Sequence, residues 1–179
     1  MIDTTNEFQI DDIKNFINRH YLKNRTTVSS DIPGILDDVE LVTGLPVIRH
    51  KYRTGEEFGT WIVPPLWDVK EAWLKNKNGE IIASYKDHPL FLHVYSNSVH
   101  DEISKEQLLA HVTMNKRQPD PQPDAFWYNY QYAYDYNLRL KDWGISLPSN
   151  TVSHLDEGPF EIFIDVETRD GEMLVGEIV

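Results

Sequence analysis

The sequence contains no cysteine among its 179 residues. That absence excludes disulfides, thiolate metal ligands and thiol nucleophiles, and it fits a reducing compartment. Cationic residues are also scarce. The chain has 17 Lys and Arg residues but 29 Asp and Glu residues, which gives a formal net charge of -12. A charge of this sign repels nucleic-acid phosphates and anionic lipid. Neither nucleic acid nor a membrane is therefore an expected partner.

Long apolar runs are missing as well. No stretch approaches the length that spans a bilayer, and the first residues are polar and acidic, unlike a signal peptide. We therefore expect a soluble, cytoplasmic protein. Hydrophobic residues make up 40% of the chain and aromatic residues 12%, which is enough apolar material for a folded core.

Two helices are predicted near the N-terminus. Ile13, Ile17 and Tyr21 recur at helical spacing, which is typical of an amphipathic helix. A second apolar pattern follows, with Pro33 in its first turn and Gly44 as a natural stop. These helices form the first layer of the predicted domain.

Beyond the second helix, β-branched and aromatic residues alternate with polar ones and predict strands. Asn78 and Gly79 favour a hairpin with a type I′ turn, and residues 169–171 favour a second hairpin. Ser104 and Gln107 form a capping box and predict a short helix. The candidate strands are residues 47–53, 60–63, 68–75, 80–85, 90–95, 160–167 and 173–179.

Aromatic residues occupy every second position from residue 126 to residue 136, so a strand here would present six rings on one face. Such a face can bind a sugar, a peptide or a planar ligand. The alternative is a strand that turns its rings to the core, since half-buried strands are commonly aromatic. The predicted ligand-binding residues are Trp127, Tyr128, Tyr130, Tyr132 and Tyr134.

Metal and catalytic motifs are not evident. No two of the seven histidines have the i, i+4 spacing of a zinc-binding helix, and His88, His93 and His100 share only a region of the chain. No nucleophile elbow, phosphate-binding loop or dinucleotide glycine pattern occurs. Glu161, Asp165 and Glu167 are predicted to share one strand face that is simply solvated. We expect no metal site and no catalytic residue in this chain.

Several blocks along the chain occur in the order of a known family. Trp61, Val63, Pro64 and Trp67 keep the mutual spacing of one such block, and together the blocks span about residues 46–177. They begin at Thr54, Asp68, Tyr95, Ser104, Trp143, Gly158 and Gly171. In this order they resemble a bacterial aminopeptidase-like family that is related to the di-zinc aminopeptidases of clan MH and carries an inserted domain of unknown function.

The resemblance implies an α+β fold in two parts. Residues 1–60 and 158–179 would form part of an aminopeptidase-type scaffold, and residues 61–157 would form a β-rich lobe inserted between its first and last strands. The family's zinc-binding segment would follow residue 179, so zinc is expected only together with a catalytic half. The resemblance therefore implies a non-catalytic recognition or scaffold module.

Two other functions stay open, a free-standing protein that binds a small sugar or peptide ligand and an independent hydrolase. The expected partner is a catalytic half supplied in trans, or a second copy of the chain. The contact would involve the edge of the last predicted strand, because an exposed apolar edge favours association. Its apolar residues are Met173, Leu174, Val175, Ile178 and Val179.

Overall fold

Two helices open the part of the chain that the computed structural model describes, which comprises residues 10–59, 61–117, 119–128 and 142–179. They are α1 (Ile10–His20) and α2 (Ile32–Thr43), and both were predicted. Helix α2 ends at Gly44, which adopts a left-handed conformation and donates its N–H to the Glu40 carbonyl. No helix within the described ranges has the length and apolarity needed to cross a bilayer.

The apolar side of α1 faces solvent over most of its length. Ile10 is 65% exposed and Ile17 is 54% exposed, whereas His20 is the helix's buried residue. His20 lies 2.6 Å from the Asp38 carboxylate, which also accepts a hydrogen bond from Arg19 and so joins α1 to α2. The two helices are thus held together by a polar contact, and α1 leaves an apolar stripe uncovered.

Within the described ranges, ten strands and three short helical segments follow the two long helices. The additional helical segments are a 3₁₀ turn (Pro89–Phe91), α3 (Lys105–His111) and α4 (Ser149–Ser153). Helix α3 begins with the predicted capping box of Ser104 and Gln107. The strands are β1 (Val47–Arg53), β2 (Glu57–Phe58), β3 (Trp61–Ile62), β4 (Leu66–Lys75), β5 (Ile81–Ser84), β6 (Val99–Ile103), β7 (Val112–Thr113), β8 (Ile145–Ser146), β9 (Phe160–Arg169) and β10 (Glu172–Ile178).

A four-stranded antiparallel sheet with the order β5-β4-β9-β6 carries the main core. One face of β9 buries Phe160, Ile162 and Ile164, because alternate residues of a strand point to the same side. This face packs against Leu92, Leu108 and their neighbours. Glu161, Asp165 and Glu167 share the opposite face, as predicted, but each is half-buried and the face is not simply solvated.

Strand β1 pairs with β10 in a separate antiparallel pair. The chain leaves β1 and returns to β10 at one point, where Thr54 N–H donates to the Gly171 carbonyl at 3.0 Å. Gly171 N–H in turn donates to the Thr54 hydroxyl at 2.9 Å. Glycine is required here, because a Cβ at position 171 would lie 2.8 Å from the Leu66 Cβ atom. The four-stranded sheet is formed by the chain between these two residues.

Three sequence predictions were wrong in detail. Residues 169–171 do not close a hairpin, because β9 pairs with β4 and β6 whereas β10 pairs with β1. Residues 90–95 form no strand, since Pro89 begins a 3₁₀ turn and Tyr95 takes a positive φ of 67°. The hairpin at Asn78 and Gly79 exists, but only Gly79 has a positive φ, so the turn is not type I′.

The pairing of β9 bears on the proposed domain boundaries. A boundary at residue 158 would separate β9 from β4 and β6, the two strands to which it is hydrogen-bonded. The division into scaffold and lobe stays a prediction. The pairing favours boundaries at Thr54 and Gly171, the two points where the chain passes between the β1–β10 pair and the four-stranded sheet.

Candidate ligand-binding cleft

A cleft of about 400 Å³ opens between the loop that follows α1 and the base of the four-stranded sheet. Its floor is apolar and aromatic, with contributions from Trp67, Leu92 and Val94. Tyr85 and Tyr128 stand at its sides. Its polar residues come from the loop and comprise Lys23, Asn24, Arg25, Thr26 and Thr27. An apolar cavity with a few polar groups on one wall is the usual form of a small-ligand site.

The loop is held in place by Asn24, which is buried. Its side-chain amide donates to the Trp67 carbonyl at 2.7 Å, and its side-chain oxygen accepts the N–H of Thr26 at 3.1 Å. The Asn24 backbone N–H donates to the Asp31 carboxylate at 2.9 Å, and its carbonyl accepts the Ser29 hydroxyl. Arg25 is therefore presented by a loop fixed on both of its sides.

The floor is fixed by Trp67. Its indole N–H donates to the Ser96 carbonyl at 2.9 Å, and its ring lies 5.9 Å from the ring of Tyr95. The indole is 2% exposed, so it supports the cleft mainly as a packed surface. A buried aromatic ring with its polar atom satisfied is a stable base for a binding site.

Tyr128 reaches the cleft because Phe126 anchors its segment. The Phe126 ring stacks on His88 with the ring centroids 4.4 Å apart. The backbone N–H of Trp127 then donates to the Ser146 hydroxyl at 2.8 Å. Of the predicted ligand residues, Tyr128 lines the cleft, while Trp127 is 50% exposed and is not among the lining residues. Tyr130, Tyr132 and Tyr134 lie outside the described residues.

Residues 126–128 belong to no strand, so the described start of the aromatic segment lacks the pairing that the alternation predicts. Phe126 is half-buried against the main core, whereas Tyr128 is 60% exposed. The first two rings of the pattern thus serve different purposes, one for core packing and one for the cleft.

The electrostatics of the cleft centre on Tyr85. Burial raises the pKa of its hydroxyl well above the ordinary value, and the nearby Asp31 and Asp68 carboxylates raise it further, while Arg25 opposes them. Tyr85 therefore stays a neutral hydrogen-bonding group. Burial also lowers the pKa of His93 to about 4, so the imidazole next to the floor residues Leu92 and Val94 is uncharged near neutral pH.

The described residues do not fit a zinc site. No three His, Asp or Glu side chains in the described ranges converge as metal ligands. His100 instead contacts Glu161 at 3.0 Å, and His88 accepts a hydrogen bond from the Leu90 N–H. The expectation that this chain holds no metal of its own stays a prediction.

Sequence reasoning missed most of the cleft. Arg25, Tyr85 and Leu92 come from a loop, a strand end and an irregular segment, and no motif connects them. The run of consecutive polar residues 23–27 was the available signal, but it is also typical of an ordinary surface loop. Only the folded arrangement places these residues around one cavity.

The described elements define an α+β fold that carries a cleft beside its main sheet. Residues 66–167, more than half of the sequence, match the family described as "Domain of unknown function (DUF2172)", and the chain belongs to this family. The matched segment includes β4, β6 and all but the last two residues of β9, and it lies entirely between Thr54 and Gly171.

A curated relative and a solved structure, both from Clostridium acetobutylicum, are similar to most of this chain. One, provisionally named a polysaccharide biosynthesis protein with an aminopeptidase-like domain, is 26% identical in an alignment of 176 positions that covers 88% of this chain and 38% of that protein. The other is the crystal structure of a protein provisionally named a peptidase, which covers 93% of this chain at a TM-score of 0.77 and 23% identity. The chain covers 36% of that structure, and the likeness shows a shared fold. The names of both agree with the aminopeptidase-like resemblance.

Proposed function

We propose that this chain is a non-catalytic recognition module of an aminopeptidase-like protein and that it binds peptide-type ligands in the cleft beside Tyr128. The observation that carries the proposal is the cleft itself, an apolar floor on a packed sheet with a polar wall on an anchored loop. The proposed compartment is the cytoplasm, in keeping with a sequence without cysteine.

The relatives support a peptide as the ligand class, because both carry a peptidase-type name. The name of one relative also mentions polysaccharide biosynthesis, so a sugar is the second candidate. A sugar would use the same aromatic sides of the cleft, since sugars stack on Tyr rings. Binding measurements with both ligand classes decide between them.

We further propose that residues 54–171 form a lobe inserted into a partial scaffold of the di-zinc aminopeptidase type. Support comes from the direct pairing of β1 with β10 and from the reciprocal hydrogen bonds of Thr54 and Gly171 where the chain crosses. An insertion whose two ends meet costs little chain entropy. On this proposal, zinc and the catalytic residues belong to a catalytic half outside this chain.

Uncovered apolar side chains support the proposed partner. Ile13 and Ile17 of α1 and Val175 and Ile178 of β10 are each at least 42% exposed. Strand β10 pairs on one side with β1, and the two form a sheet of their own in the described part of the chain. We propose that a catalytic half, or a second copy of this chain, covers this edge.

The dipeptide Ala-Phe, titrated into the purified chain, tests the binding proposal. Binding is followed by ¹H–¹⁵N NMR, and free phenylalanine is assayed in the same sample. We expect saturable shifts of cleft residues without release of phenylalanine. Replacing Tyr128 by Ala should weaken binding by about tenfold, because an aromatic wall of the cleft is lost.

Trp127→Ala is the matched control, since this neighbouring exposed ring does not line the cleft. It should leave the affinity for Ala-Phe within about twofold of the original value, well below a tenfold change. Equal losses in both variants would contradict the assignment of the cleft. Release of phenylalanine would instead identify an independent hydrolase.

A further inference from the structure

The charges on the wall of the cleft differ from those of the chain as a whole. The protein has a formal net charge of -12, yet the charged residues that line the cleft in the described ranges are Lys23 and Arg25. Asp31 and Asp68 lie nearby but are not part of the lining. The charged side chains that a ligand in the cleft would contact are therefore both cations, while Asp31 and Asp68 act on the cleft from outside its lining. A lining of this kind offers charge-assisted hydrogen bonds to a negatively charged group.

The two acids behind the wall are already engaged. Asp31 accepts the Asn24 N–H, and Asp68 accepts both the N–H and the hydroxyl of Ser30. These contacts organise the loop and the start of α2. Asp31 also lies 3.9 Å from the Lys23 ammonium, whereas neither carboxylate forms an ion pair with Arg25 within the described residues.

Arg25 is the cation best placed for a ligand. Its guanidinium forms no ion pair within the described part of the chain and makes one long hydrogen bond, 3.5 Å, to the Tyr21 carbonyl. Lys23 is 3.9 Å from Asp31, at the limit of an ion pair. The planar guanidinium offers paired N–H donors that match a carboxylate, whereas an ammonium does not.

The loop restrains Arg25 before any ligand arrives. Asn24 and Thr26 on either side of it are joined by the Asn24 side chain, which also binds the Trp67 carbonyl. Less backbone freedom is therefore lost on binding than in a mobile loop. Leu92 and Tyr85 also line the cleft and offer apolar surface to the rest of a ligand.

We infer that the cleft recognises a carboxylate joined to an apolar body, with the carboxylate on Arg25 assisted by Lys23 and the body against Leu92 and Tyr85. For a peptide, this is its free C-terminal end. The inference rests on the proposed function, since it assigns the ligand's charged group within the same cleft.

N-acetyl-Ala-Phe and its C-terminal amide test the inference, because the two peptides share every side chain and differ by one negative charge. Affinities are measured by NMR titration for the wild-type chain and for Arg25→Gln, Arg25→Lys and Arg53→Gln. Arg53 is exposed, lies on β1 and has no ion pair within the described ranges, so it is the matched control.

We expect the wild type to bind the acid roughly tenfold more tightly than the amide, as a charge-assisted pair predicts. Arg25→Gln should remove this preference, Arg25→Lys should keep part of it, and Arg53→Gln should leave it unchanged. The preference should also decline with added salt.

Equal binding of acid and amide by the wild type, or an undiminished preference in Arg25→Gln, would overturn the inference. The cleft proposal would survive that result if Tyr128→Ala still weakened both peptides. If neither these peptides nor Ala-Phe bind the wild type at millimolar concentration, the inference and the proposed function both fail.

Discussion

Replacement of Asn24 by Ala tests whether the loop is anchored as the structure indicates. The change removes the hydrogen bond to the Trp67 carbonyl, 2.7 Å long and buried, and the 3.1 Å bond from the Thr26 N–H. Losing a buried hydrogen bond costs about 1–3 kcal/mol when its partner is left without an equivalent. We expect the free energy of unfolding to fall by about 2–4 kcal/mol for the two bonds together.

Asn24→Asp is the sharper variant, because it has nearly the same shape. The new carboxylate can still accept the Thr26 N–H, but it turns an oxygen towards the Trp67 carbonyl and lies close to Asp31. We therefore expect it to destabilise the protein more than Ala does near neutral pH. This extra loss should shrink as the pH is lowered, since a protonated carboxyl can donate again.

Urea unfolding followed by the fluorescence of the five Trp residues measures these differences. Asn78→Ala, at an exposed turn position, serves as the control and should change stability by less than about 0.5 kcal/mol. If Asn24→Ala has an equally small effect, or if Asn24→Asp equals the wild type near neutral pH, the anchoring argument is refuted. A loosened loop should also weaken the binding of Ala-Phe.

Three further predictions concern the β1–β10 pair and α2. The double variant Val175→Lys, Ile178→Lys should abolish self-association seen by light scattering, or binding to a catalytic half. Ile81→Lys, at a similarly exposed apolar site on β5, should abolish neither. If the wild type and all variants are strictly monomeric and bind no partner, the proposal that the edge of β10 is covered by a partner is contradicted. Gly176→Ala should destabilise the chain by about 1–3 kcal/mol, because the new Cβ would lie 2.7 Å from Leu36 Cδ2. In Gly34→Ala, within α2, the new Cβ would have no atom within 4 Å, so the free energy of unfolding should rise by up to about 1 kcal/mol. Melting curves should therefore show a lower melting temperature for Gly176→Ala and a higher one for Gly34→Ala.

Local patterns predicted much of this fold correctly. The spacing of Ile13 and Ile17, the stop at Gly44 and the capping box at Ser104 each depend on residues close in sequence, and all three elements exist. Pairing between distant strands was not predictable in the same way. The turn residues 169–171 favour a hairpin locally, but in the tertiary structure β9 and β10 belong to different sheets.

The candidate site was predictable only in part. The aromatic alternation pointed to a region that includes Tyr128, which does line the cleft. Lys23, Arg25 and Leu92 could not be identified, because their chemistry arises from proximity in space and none of them carries a local motif. The exposure of the apolar side of α1 was missed for a related reason, since an apolar stripe in the sequence does not show which part of the structure, if any, it packs against.

The pairing of β1 with β10 also has a kinetic consequence. Val47 is paired with Ile178 and Arg53 with Glu172, so each pair joins residues that are far apart in the sequence. Contacts between such distant residues form slowly, because a long loop must first be closed. Once the sheet of β4, β9 and β6 has folded, Thr54 and Gly171 are neighbours and the remaining loop is short. We therefore expect the central sheet to fold first and the β1–β10 pair to form last, after β10 has left the ribosome.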